Sequence, residues 1–313
     1  MNTMRRFFIS LSFILIGFLV NAQDTTLKID NGSFTLTDAI VRNNFDYKAI
    51  LQRIKEDTSF YKAFKTLRTI GYSSYNYIQM RDKNEKVIAT LNSKTRQNKI
   101  GGCRTMDVLE ENVSGNMKDA NGDYNYTTPA LYASLFFTKG TICGETNIVK
   151  GKVRTVSGSG LSKAKDQLKM LFFNPGKDIQ GIPLMGNKVQ VFDTRRSDLY
   201  DFIVDIQEYK GKTAYVFTLK VKEDLSFFKK DEVVIDEMTT WFDYETFEVI
   251  ERDYKMTYNA GVYRFNVTMH VEIDKVSGML YPKLIRYDGS WGVLIKGSER
   301  GLFTATLYDL SLK

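Results

Sequence analysis

His270 is the only histidine in a chain of 313 residues, and histidine is the side chain that most readily moves protons near neutral pH. Around it, Tyr263, Phe265, Val267, Met269, Val271 and Ile273 alternate with Arg264, Asn266, Thr268, His270 and Glu272. Period two is the mark of a strand, whose successive side chains point to opposite faces. His270 therefore falls on the polar face with Thr268 and Glu272 and reads as a solvated imidazole. Its replacement by alanine is expected to leave stability within about 0.5 kcal/mol.

Other fragments imitate chemistry without completing it. Gly211-Lys212-Thr213 lacks the glycine of a phosphate loop, because Ile206 stands five residues earlier. Ser162 and Lys165 form an S-x-x-K, but Ser226 and Lys229 repeat the spacing and no S-D-N or K-T-G accompanies them. Asp119, Asn121 and Asp123 resemble the start of a calcium loop, yet Tyr124 and Ala130 occupy the glycine and glutamate positions, so a turn is expected. Two cysteines and one histidine cannot complete a structural zinc site. No G-x-S-x-G or H-E-x-x-H occurs. Asp198, Asp201 and Asp205 offer carboxylates for hydrolysis, with exposed charges as the plainer reading. A non-enzymatic protein without metal or cofactor is expected.

The amino terminus places Arg5 and Arg6 before the 14-residue run FFISLSFILIGFLV, followed by Asn21, Ala22 and Gln23. As a helix at ~1.5 Å per residue the run spans about 21 Å, short of the ~30 Å hydrocarbon core. Residues 1–22 are therefore expected to be a signal peptide cut near Ala22, leaving 23–313 as one exported domain, periplasmic or extracellular, with no transmembrane segment. In an oxidising compartment, Cys103 and Cys143 are expected to form one disulfide, with two buried thiols as the alternative.

The chain carries 44 basic and 37 acidic residues. Much of the excess is local, since 150–177 holds Lys150, Lys152, Arg154, Lys163, Lys165, Lys169 and Lys177. For an exported chain such a segment suits anionic envelope surfaces rather than nucleic acid, with a solvated helix face as the alternative.

Spacing of three and four residues predicts helices within about 36–69, and again at 161–173. Aromatic and alternating segments from 72 to 95 predict strands, whereas about 100–160 reads as an irregular insertion containing one short helix, ALYASLFF. From about 188 to 313, alternating segments follow one another across short breaks such as Lys210-Gly211 and Ser277-Gly278. Strands joined so tightly run antiparallel. The fold class is thus α+β, a curved antiparallel sheet covered by helices.

The segments DLYDFIVDIQEYKGKTAYVFTLKVKED and TTWFDYETFEVIERDYKMTY, with Trp241, Phe242, Asp243, Thr246, Val249 and Ile250 as their signature, resemble the half-barrel of the periplasmic lipoprotein carriers LolA and LolB. They are still more similar to uncharacterised exported proteins of Bacteroidetes bacteria. The resemblance covers about 188–313 and implies an incomplete barrel closed by helices, with an apolar concave face. The expected activity is binding of a lipid or lipoprotein acyl chain, with Trp241, Phe242, Tyr263, Phe265, Val267, Met269 and Val271 as cavity residues. The alternative is a structural or interaction protein of the envelope.

Overall fold

Alternation becomes strand throughout the carboxy-terminal half of the computed structural model, which describes residues 25–29, 32–36, 46–149, 175–176, 188–259, 263–293 and 297–312. The expected signal peptide, the helix at 161–173 and nearly all of the basic segment 150–177 lie outside these residues. In chain order the strands are Thr25–Ile29 (β1), Gly32–Leu36 (β2), Gly71–Arg81 (β3), Val87–Ile100 (β4), Cys103–Gly115 (β5) and Ile142–Cys143 (β6). The meander follows as Tyr200–Tyr209 (β7), Lys212–Val221 (β8), Ile235–Asp243 (β9), Val249–Asn259 (β10), Tyr263–Val276 (β11), Met279–Val293 (β12) and Gly297–Ser311 (β13).

These strands form one sheet in the order β1-β2-β7-β8-β9-β10-β11-β12-β13-β3-β4-β5-β6. Every pairing is antiparallel except β2 with β7. The last strand returns to pair with β3, which joins the two meanders into a large curved sheet that does not close. The fold is mostly β, with few helices, so the expected α+β class is shifted towards strand. Residues 103–115 correct the expected irregular insertion. Gly101 and Gly102, both at positive φ, turn the chain into β5, a strand of 13 residues with one bulge at Leu109. Beyond Met106 it is exposed on both faces, so it carries no apolar alternation to reveal it.

Register explains the core. Phe34, Phe202, Leu219, Met238, Tyr254, Met269, Tyr287, Phe303, Ile78 and Leu91 are consecutive cross-strand partners from β2 to β4. All ten are buried. At ~4.8 Å between strands the row is about 43 Å wide. Helices Tyr47–Glu56 (α1), Ser59–Thr66 (α2) and Thr127–Phe136 (α3) are at most ten residues, about 15 Å, long.

Each cover takes one stretch of the row. Phe192 lies 5.8 Å from Phe202, Phe60 of α2 meets Tyr254 edge-on at 6.5 Å, and Tyr132 of α3 lies 4.6 Å from Phe303. The Glu299 carboxylate of β13 accepts from the backbone N–H groups of Thr127 and Thr128, which holds the positive end of the α3 dipole against the sheet. Gly301 makes that approach possible, since a Cβ there would stand 2.9 Å from the Thr128 methyl.

Cys103 and Cys143 are bridged, as expected, and pair directly across β5 and β6. The bridge closes the loop that carries α3. Replacing both cysteines by serine should lower unfolding stability in urea by ~4 kcal/mol, the chain-entropy value for a loop of this length.

Candidate functional site

The expected cavity residues divide between the two faces. Phe265, Val267, Met269 and Val271 line the inner side of β11, and Phe242 lies buried on the same side of β9, stacked at 4.7 Å on Phe247. Tyr263 opens β11 opposite Val293. Trp241 is not with them. It precedes Phe242 on one strand and so points to the outer face, where it stacks on Tyr209 at 5.1 Å.

Polar groups interrupt the apolar face at two places. Arg252 sits opposite Val271, only 5% exposed, and burial lowers its pKa. Its Nε donates to Thr240 Oγ1 at 2.9 Å, its Nη2 lies 3.8 Å from Asp57, and its guanidinium lies 4.3 Å from the Phe60 ring centroid. Towards β4, Asn76 donates to Ser93 and Thr95 and accepts from the Tyr132 hydroxyl at 2.6 Å. Gln97 donates to the carbonyls of Leu67 and Ile70. Satisfied in this way, these buried groups escape the desolvation penalty of unpaired ones.

On the outer face His270 is far from a free imidazole. Its Nδ1 lies 2.6 Å from Asp253 Oδ1 and 3.6 Å from Glu251 Oε1, and its Nε2 lies 3.4 Å from Glu272. The Asp253 hydrogen bond raises the His270 pKa above its ordinary 6.5, against the burial that lowers it. Glu251 reaches this face because the strand pairing shifts between Val249 and Glu251. Lys210, at φ 50° in the β7–β8 turn, reaches across to bind Glu251 at 2.6 Å and Glu272 at 3.2 Å. The donor atoms of Glu251, Asp253 and His270 lie within 4.8 Å of one another, a spacing that suits a cation. The Lys210 ammonium already supplies positive charge there, so the cluster acts as an ion-paired clasp between the β7–β8 turn and β10–β11.

Sequence reading missed this clasp because its members come from two separate strands and a turn. The remaining motifs are structural. Gly211 lies in the β7–β8 turn and Lys212 and Thr213 start β8, and Asp119 Oδ1 accepts from the backbone of Asn121 and Asp123 in a turn. Ser162 and Lys165 lie outside the described residues.

No protein-family model matches the chain, and no curated protein matches it by sequence. Among solved structures, a DUF1329 family protein from Desulfovibrio piger is 11% identical over 80% of this chain and 90% of that one, with a TM-score of 0.24. A domain assigned to outer membrane lipoprotein sorting in Vibrio parahaemolyticus is 8% identical over 84% and 90%, with a TM-score of 0.28. Lipovitellin is 7% identical over 78% of this chain and 25% of its own, also with a TM-score of 0.28. Likenesses this slight carry no argument, and function rests on the sheet itself.

The His270 interactions stabilise the fold fully below the unfolded pKa near 6.5 and fade as pH rises through the higher folded value. Urea stability of the parent should fall across that window. His270→Ala should abolish the fall and cost about 1–2 kcal/mol below it, as loss of a charge-assisted hydrogen bond does. A pH-independent change under 0.5 kcal/mol would restore the bystander reading.

Proposed function

We propose that this is an exported, non-enzymatic cell-envelope protein that binds a lipid or lipoprotein acyl chain against the inner face of its sheet. The observation that carries the reading is the single apolar row through ten strands of a sheet that does not close. An acyl chain is long, narrow and wholly apolar, as this row is. The row also continues past its cover, since Leu91 pairs with Val113, which is 42% exposed on β5.

In this reading Phe242, Phe265, Val267, Met269 and Val271 form the wall that the ligand meets when the cover separates from the sheet. The gain comes from removing apolar surface from water. Phe227 and Phe228, in the short helix Phe227–Lys230 (α4), are 82% and 83% exposed and sit beside Lys229 and Lys230. Aromatic rings next to ammonium groups suit a lipid interface. No helix among the described residues is long and apolar enough to cross a membrane.

One observation favours the second reading, an interaction protein. Among the described residues β6 pairs with β5 only at Cys103 and Arg104, which leaves the rest of that edge, with exposed Val108, Leu109 and Val113, open to strand addition. The basic segment 150–177 is proposed to meet an anionic envelope surface in either case.

A fluorescent fatty acid should bind the mature chain saturably. Val113→Asp, at the exposed end of the row, should weaken binding about tenfold without lowering the melting temperature. Phe265→Ala and Met269→Ala, at buried positions, should each cost roughly 3 kcal/mol of stability. A parent that binds no probe would leave the interaction reading standing. Phe227→Ser with Phe228→Ser should reduce sedimentation with phospholipid vesicles while stability stays within about 0.5 kcal/mol.

A further inference from the structure

Asp57 offsets the charge of Arg252 without completing its hydrogen bonding. Among the described residues Arg252 is the only buried base, and the side chains of Arg252 and Asp57 are 6% and 8% exposed. Nε is bonded to Thr240, but Nη2 stands 3.8 Å from Asp57 Oδ2, beyond the ~3.2 Å reach of an N–H···O bond. Asp57 is held at that distance by its other oxygen, which caps α2 by accepting from the Ser59 N–H at 3.0 Å. Neither Nη1 nor Nη2 has a hydrogen-bond acceptor among the described residues. A planar fork of N–H donors is therefore buried on the inner face and left unused.

Such a fork matches the paired oxygens of a carboxylate or a phosphate. Its position suits the end of an acyl chain. Arg252 sits directly across from Val271 of the inner wall, and Tyr254 of the apolar row is two residues further along β10, about 7 Å at the strand rise. A second cation stands on the same flank, because the Arg53 guanidinium of α1 lies 4.1 Å over the Phe247 ring, which stacks on Phe242. Arg53 has no carboxylate partner among the described residues.

A hydrocarbon end would leave the buried fork empty, and a hydroxyl offers it one uncharged oxygen. A carboxylate or phosphate fills both amino groups and supplies the charge that Asp57 supplies from a distance. Resting on the acyl reading above, we propose that the ligand carries an anionic head, a carboxylate or a phosphate, and that Arg252 binds it through Nη1 and Nη2 in place of Asp57.

Equilibrium binding of radiolabelled hexadecanoic acid, hexadecyl phosphate and hexadecanol to the mature chain, below micelle-forming concentrations, separates head from chain. At least one of the two anions should bind about tenfold tighter than the alcohol, and the tighter one identifies the head. Arg252→Met should remove that preference and leave alcohol binding as in the parent. Asp57→Asn keeps an oxygen for the α2 cap and removes the competing charge. It should strengthen anion binding about threefold and alcohol binding not at all, whereas a loosened cover would strengthen both alike. Equal binding of anions and alcohol by the parent overturns the head assignment and leaves the acyl reading standing, while binding of none of the three overturns both. An anion preference that survives Arg252→Met also overturns the assignment. So does an Asp57→Asn variant with the parent's ratio of anion to alcohol binding, and this second variant decides if Arg252→Met does not fold.

Discussion

Arg252 carries a positive charge into the apolar side of the sheet, and the seating of the α1–α2 pair follows from how that charge is satisfied. A buried guanidinium is tolerated only when paired and hydrogen-bonded, because desolvation otherwise costs several kcal/mol. Thr240 answers from the neighbouring strand, Asp57 from the α1–α2 junction and Phe60 from the first turn of α2. Asp57 also accepts from the Ser59 N–H, and Ser59 Oγ accepts from the Val249 N–H. One side chain therefore ties the α1–α2 junction to β9 and β10.

That placement matters because short helices span only part of the apolar row. With α2 held near Tyr254 and α3 near Phe303, the rest of the row is met by Phe192 on one flank and passes to exposed Val113 on the other. The outer clasp of Lys210, Glu251 and His270 acts on the opposite side, fixing the β7–β8 turn to β10–β11. The two faces thus divide the chemistry, an apolar row within and ion-paired polar groups without.

Much of this was legible in the sequence. Period two marked β7 to β13, and the β11 row Phe265, Val267, Met269 and Val271 is buried together. Two cysteines in a chain expected to be exported allowed one intramolecular pairing, and it forms. What failed depended on register. Trp241 and Phe242 cannot share a face of one strand, though grouping them by signature placed both in the cavity. His270 read as solvated because Asp253, Glu251 and Lys210 are brought to it only by cross-strand pairing and a shift within β10. Strand β5 was hidden because periodicity reports a buried face, and most of β5 has none.

If the inner row holds an acyl chain, the protein should carry one out of the cell. Mass spectrometry of organic extracts from the mature protein, purified without detergent from its native envelope, tests it most directly. An acyl lipid should be retained at near one molecule per chain and lost on delipidation. Protein that carries no lipid from the native envelope would contradict it.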